Sequence, residues 1–321
     1  MKIEDINYTL PTEQINSTDF DIEKWRRENP IDYFKLLYLL FTTTDSYNKD
    51  VPRDIVMKFT AEAIFHAIQL YIPDTLFKFY SFNEDLQLNE KKLTTLQNKQ
   101  IYMSDIKDFN DPFDGKAFFY NPDDLTNIKW LKSCKGKLID DFTTFIKGTA
   151  LTKNDTNSMP MWAHYANNHQ GFCVSYDMTN PDNSVLRANT FPVQYTNQRL
   201  DITSFMKQYT SMLSNEFAKH ISQGKKDISI SDYSIVYIMT YMYNVKHTSW
   251  QYENEFRCTT AANAKGMPYI DATPKAIYIG MNCTEDNRNK LINIAKTLSI
   301  PIYQMRFNDL SESYTLRAEL L

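Results

Sequence analysis

Glycine is scarce in this chain, with 7 in 321 residues against 21 tyrosines and 20 phenylalanines. No GxGxxG or GxxxxGK[ST] string occurs, which removes both familiar phosphate-binding loops. The four cysteines (Cys134, Cys173, Cys258, Cys283) are scattered, with no CxxC pair. That spacing argues against a disulfide framework or a zinc knuckle and leads us to expect a reduced, cytoplasmic setting. No basic run exceeds two or three residues, and the net charge is −4, so the electrostatic footprint of nucleic-acid binding is missing. No apolar run approaches the roughly 18 residues needed to cross a bilayer. The opening "MKIEDINYTLPTEQ" is polar and acidic, unlike a secretory signal. There is no GxSxG elbow, and Cys173 and Cys258 fall inside expected strands, where an inert buried thiol is the default.

What remains is a length sufficient for one large domain or two ordinary ones. The pattern predicts an α+β protein: a mixed or antiparallel sheet core with helical insertions and a helical amino-terminal appendage. The appendage spans 1–75 and is a candidate interface for a second copy; the core domain spans 76–321. In the appendage, Asn29-Pro30 is expected to cap a helix over "IDYFKLLYLLF". A second helix lies between Pro52 and Pro73, with Val56, Phe59, Ala63, Ala67 and Leu70 as its apolar stripe and His66 beside it. "LFKFYSF", "IYMSD", "GFCVSYDM", "KAIYIGMN", "IPIYQMRF" and "SYTLRAEL" read as strands. "NEKKLTTLQNKQ", "WLKSCKGKLIDDFTTFI" and most of 202–247 read as helices, and "KGTALTKNDTNSMP" as a polar loop. The tyrosine- and methionine-rich stripe "DYSIVYIMTYMYNV" is expected in the core. Thr284 is a good N-cap for "TEDNRNKLINIAKTL".

Three segments carry candidate chemistry. In "SWQYENEFRCTT" (249–260), strand periodicity sets Trp250, Tyr252, Asn254 and Phe256 on one face and Glu253, Glu255 and Arg257 on the other. The two carboxylates would then lie roughly 6.5–7 Å apart. Facing a cleft, they form an acid/base or hydrogen-bonding set; facing water, an ordinary amphipathic strand. An arginine beside a carboxylate favours its ionised form. In "FNDPFDG" (109–115), Asn110, Asp111 and Pro112 set a turn. Asp111 and Asp114, with Asp105 and Asp108, lack the spacing of a calcium loop, so no metal is expected. In "MWAHYANNHQGF", His164 and His169 are five apart and cannot form the paired face of HExxH. Trp162, His164 and Tyr165 form either a wall for stacking a flat ring or a tight packing motif before a buried strand.

Taken together, "FNDPFD", "MWAHYANNHQGF" and "WQYENEFR", in this order, resemble a widespread bacterial family known only as a domain of unknown function. The resemblance runs over about 76–307, from "LFKFYSF" through "AIYIGMN". The family opens close to Tyr-Lys-Tyr-Arg-Ser, and Tyr80 stands here where the arginine would. Its usual Cys-Phe-Ser strand before the tryptophan motif is replaced by "GTALTKNDTNSMP". More distantly, a first strand with a polar tip and a late strand bearing Glu-x-Glu are similar to ADP-ribosyltransferases.

That likeness implies NAD as substrate, with no firm cofactor, and a toxin or phage-defence effector as the biological setting. It implies Glu255 as the catalytic carboxylate, Glu253 as its neighbour, and Tyr80-Ser81 as the first-strand tip. With Asn110, Asp111, Trp162, His164, Tyr165, Tyr252 and Arg257, these are the expected ligand contacts around one cleft. The competing expectation is a sensor that binds a nucleotide or base without turnover.

Overall fold

The computed structural model describes residues 21–46, 51–128, 132, 135–136, 144, 146–224, 234–264 and 268–321. The opening segment, Cys134 and most of the expected helix "WLKSCKGKLIDDFTTFI" lie outside them. Packing divides the chain into two units, each assembled from separated stretches. One draws on 1–70, 106–146 and 194–248, the other on 71–105, 147–193 and 249–321.

The first unit is mainly helical. Asp21 starts the helix Ile22–Glu28 by accepting from the backbone N–H groups of Glu23 and Lys24, both at 3.0 Å. Asn29 closes this helix instead of opening the next, its N–H bonding Trp25 O. The following helix, Tyr33–Ser46, begins where Asp32 accepts from the N–H groups of Phe34 and Lys35. An aspartate side chain satisfies orphan helix donors without a proline neighbour. The helix Arg53–Gln69 packs on Tyr33–Ser46 and buries Val56, Met57, Ala61, Ile64 and Ile68. The stripe expected from spacing is overturned: Phe59, Ala63, Ala67 and Leu70 are exposed, as is His66. This helix is apolar on more than one face, so periodicity alone does not choose which side meets a neighbour. Helices Thr203–Ser222 and Ser234–Tyr243 follow. Ile238, Tyr241, Met242 and Tyr243 are buried, as expected of core, and Tyr241 stacks on Tyr33 at 5.4 Å.

The second unit is built on a mixed, mostly antiparallel sheet. Its strands run in the order Leu316–Leu320, Ile302–Phe307, Pro274–Ile279, Phe172–Asp177, Thr75–Tyr80, Ile146–Thr152, Glu255–Ala261, Thr190–Pro192. Ser104–Asp105 adds to the Ile146 strand. In this sheet Pro274–Ile279 runs parallel to Ile302–Phe307, and the helix Glu285–Leu298 makes the crossover that a parallel pair requires. Thr284 caps that helix, as expected. Helices Leu86–Gln97 and Glu285–Leu298 cover one sheet face around Leu76, Val174, Phe256 and Ile277. The short helix Met159–Tyr165 covers the other, around Phe79, Trp162, Cys173 and Met305.

Two expectations are corrected here. "KGTALT" is a sheet strand and not a loop, because its polar atoms are bonded: Thr149 Oγ1 accepts from Lys78 Nζ, and Thr152 Oγ1 donates to Glu253 O. "SWQYENEFRCTT" is not one strand. Thr248–Glu253 is a 3-10 turn, Asn254 takes φ 45°, and the strand begins only at Glu255. Glu253 and Glu255 therefore stand on either side of a backbone reversal, and Trp250, Tyr252 and Phe256 do not share a strand face.

Candidate functional site

The ladder thins where the Thr75 strand meets the Ile146 strand. These two share the single register pair Phe77↔Thr152, whereas the other side of the Thr75 strand is paired from Thr75↔Asp177 to Tyr80↔Phe172. The far end of the Thr75 strand, Lys78 to Tyr80, is left without a backbone ladder on that side. Lys78 reaches across, its Nζ donating to Thr149 Oγ1 at 2.7 Å and Ala150 O at 3.1 Å. Burial pulls the Lys78 ammonium down to about 8, while the Glu255 carboxylate works the other way.

The 252–254 turn is clamped by the end of the Ile146 strand. Asn154 Nδ2 donates to Tyr252 O at 2.7 Å, Asn254 Nδ2 to Asn154 Oδ1 at 2.7 Å, and Lys153 N–H to Asn254 O at 3.2 Å. This clamp turns the Glu253 carboxylate toward the Met159–Tyr165 helix, where the Tyr165 hydroxyl donates to Glu253 Oε1. Burial first, then the bond to Glu253 and the charge of Glu255, raise the Tyr165 phenol well above its ordinary range. The rings then continue outward: His164 lies 6.4 Å from Tyr165 and 6.1 Å from Tyr252, and Tyr252 lies 6.4 Å from Trp250. His164 and Tyr252 are exposed, so a buried carboxylate is linked through Tyr165 to an aromatic surface open to solvent.

Glu255 is held differently. Arg257 Nε donates to its Oε1 at 2.8 Å and Nη2 to its Oε2 at 3.3 Å, with both side chains buried. This two-point geometry fixes the carboxylate and opposes its charge.

Trp162 is core. Its ring is fully buried, Nε1 donates to Thr156 O at 2.8 Å, Phe79 meets it edge-on at 5.1 Å, and His169 stacks on it at 5.6 Å. Of the expected stacking wall, His164 and Tyr165 remain available, with Tyr252 added. Asn110 and Asp111 belong to the first unit; Asn110 is exposed, while Asp111 is buried, its Oδ1 accepting from the Phe113 N–H. Tyr80 stacks on Phe172 at 4.8 Å and shares a 3.3 Å hydroxyl contact with Tyr176. Ser81 accepts from Lys92 Nζ through its carbonyl at 2.6 Å and its hydroxyl at 3.2 Å. Burial pushes the Cys258 thiol up to about 12 and raises Cys173 well above its usual value, leaving both inert at neutral pH.

Sequence reasoning missed the residues that join these parts. Asn167, Asn168 and His169 are consecutive left-handed residues (φ 47°, 53° and 66°), a conformation that costs roughly 1–2 kcal/mol per ordinary residue. The run is pinned by Asn167 Nδ2 to Phe82 O at 2.7 Å, Asn282 Nδ2 to Asn168 O at 2.9 Å, and Asn282 N–H to His169 O at 2.9 Å. It thereby ties the Trp162 helix to the end of the Thr75 strand. The signal was the doubled asparagine, which tolerates this region better than other non-glycine residues. Gly171 follows, and a Cβ there would sit 1.9 Å from Tyr80 O.

Residues 161–258 match a family described as "Protein of unknown function (DUF2971)". The matched stretch contains both the tryptophan motif and Glu253-Asn254-Glu255. No curated protein and no solved structure matches the chain. Among the described residues, no helix is long and apolar enough to cross a membrane.

Proposed function

We propose that the second unit binds a nicotinamide dinucleotide and breaks its N-glycosidic bond, as an NAD-consuming, ADP-ribosyltransferase-like enzyme. The observation that carries this reading is the chain of contacts from buried Glu253 through Tyr165 to the exposed rings of His164 and Tyr252. Exposed aromatic rings give a cationic, planar nicotinamide a surface on which to stack. A preorganised carboxylate beside it stabilises the positive charge that develops at the ribose carbon.

In this reading the C1′–N bond breaks heterolytically. Nicotinamide leaves with the bonding pair as a neutral ring, and C1′ becomes oxocarbenium-like. Water or an acceptor nucleophile then adds to C1′ and releases its proton to solvent water. Glu253 suits the stabilising role better than Glu255, because the Tyr165 hydroxyl joins its carboxylate to the exposed aromatic surface. The charge of Glu255 is already opposed by Arg257, so Glu255 serves to fix the start of the strand and, with it, the turn that carries Glu253. Draining a shared cofactor in this way fits a toxin or phage-defence effector. Incubating the protein with NAD and following free nicotinamide tests the reading.

A second reading has one observation in its favour: Glu255 has both oxygens bonded to Arg257. A site with one of its carboxylates committed to a structural pair suits a sensor that holds a nucleotide without turnover. NAD-dependent thermal stabilisation with no product separates it from the first reading.

A further inference from the structure

Among the described lysines of the second unit, Lys147 pairs with Asp105, Lys275 with Asp177 and Lys290 with Glu90 and Asp286, while Lys91, Lys99, Lys153 and Lys296 are exposed. Lys78 and Lys92 are different. Both are partly buried, and among the described residues neither forms an ion pair. Lys78 donates only to Thr149 Oγ1 and Ala150 O, with its Nζ 5.3 Å over the Tyr80 ring; Lys92 donates only to Ser81 O and Oγ. The two ammonium groups thus flank the Tyr80-Ser81 tip of the Thr75 strand, one from the strand itself and one from the helix Leu86–Gln97. Lys78 lies where the sheet ladder has lapsed.

We propose that Lys78 and Lys92 form an anion site at this tip, which takes the pyrophosphate of a dinucleotide. This deepens the nucleotide reading above and rests on it for the identity of the natural ligand. Desolvated ammonium groups of like charge are unfavourable until an anion opposes their charge. Burial lowers the proton affinity of both lysines, and the charge of Lys92 adds to the effect on Lys78. The neutral oxygens of Thr149, Ala150 and Ser81 orient the ammonium groups without cancelling their charge, as an anion site requires. The Tyr80 ring, backed by Phe172 at 4.8 Å, lies beneath the Lys78 ammonium.

Inorganic pyrophosphate is the probe, read by thermal unfolding of the full chain. Wild type should be stabilised in a concentration-dependent way. Lys92→Gln and Lys78→Gln should each weaken pyrophosphate binding about tenfold or more, and Lys92→Arg should restore it. No stabilisation of wild type, or unchanged affinity in folded Lys92→Gln, overturns the proposal.

Should both neutral variants fail to fold, the pH profile of wild type decides. The groups facing Lys78 are Glu255 and Cys258, from the strand next but one, and the Tyr80 ring; Asp85 faces Lys92. Burial raises the Cys258 thiol and the Tyr80 phenol above their usual ranges. Pyrophosphate itself gains negative charge as pH rises. Affinity that nonetheless falls between about pH 7 and 9.5 reports loss of the lysine protons; flat or rising affinity overturns the proposal. The two readings fail separately. Lysine-dependent pyrophosphate binding without NAD cleavage sinks only the enzyme, while NAD cleavage with a KM unmoved by Lys92→Gln sinks only the anion site.

Discussion

Arg257 grips Glu255 from two positions along the same strand, Nε to Oε1 at 2.8 Å and Nη2 to Oε2 at 3.3 Å. Neither side chain is more than 4% exposed. Removing one member of such a pair leaves the other charged and buried, at a cost of about 3–5 kcal/mol. Glu255→Gln should therefore destabilise the protein on that scale, and Glu255→Gln with Arg257→Met should recover most of the loss. Urea unfolding of the two singles and the double checks this. Additive losses in the double would show that the pair is not coupled.

The strand order of charges was legible in the sequence, but their roles were not. Alternation put Glu255 and Arg257 on one face correctly, because both lie within the strand. It failed for Glu253, since the turn at Asn254 depends on hydrogen bonds to Asn154 and from Lys153, a hundred residues earlier. The same long-range bonding made a strand of "KGTALT", whose composition reads as a loop. The α+β class, the strands "LFKFYSF", "GFCVSYDM" and "KAIYIGMN", and the Thr284 cap were readable because they follow from local pattern and propensity. Lys78 passed unnoticed because a lysine in a strand reads as solvent-facing until its neighbours are known.

Trp162→Ala should cost about 3–5 kcal/mol, as expected of a buried ring. Trp162→Phe should lose the Nε1 bond to Thr156 O yet bind NAD as wild type does, since Phe79 and His169 already occupy the ring's surroundings. A stable Trp162→Phe variant that no longer binds NAD would contradict this assignment.

Lys78 gives a signed pH dependence. Its folded-state pKa, about 8, lies below the ordinary lysine value of 10.5. Between these values the unfolded chain binds more protons, so stability rises with pH through that window. Lys78→Met should flatten this rise in chemical-denaturation midpoints measured from pH 8 to 10. An unchanged slope would mean that the lysine is solvated.

Gly171→Ala should destabilise by about 1–3 kcal/mol or more, because the new methyl would meet Tyr80 O at 1.9 Å. The displaced Tyr80-Ser81 tip should also weaken pyrophosphate stabilisation in whatever fraction remains folded. Full stability of this variant would show that the close approach is not maintained.

The account's central claim is that Glu253, linked through Tyr165 to the His164 and Tyr252 rings, stabilises charge at the nicotinamide ribose. The most direct measurement is the rate of nicotinamide release at saturating NAD, by wild type and by Glu253→Gln shown to be folded. We expect release by wild type and a loss of about two orders of magnitude or more in the variant, the scale of one preorganised electrostatic stabiliser. No release by wild type, or an undiminished rate in Glu253→Gln, would contradict it.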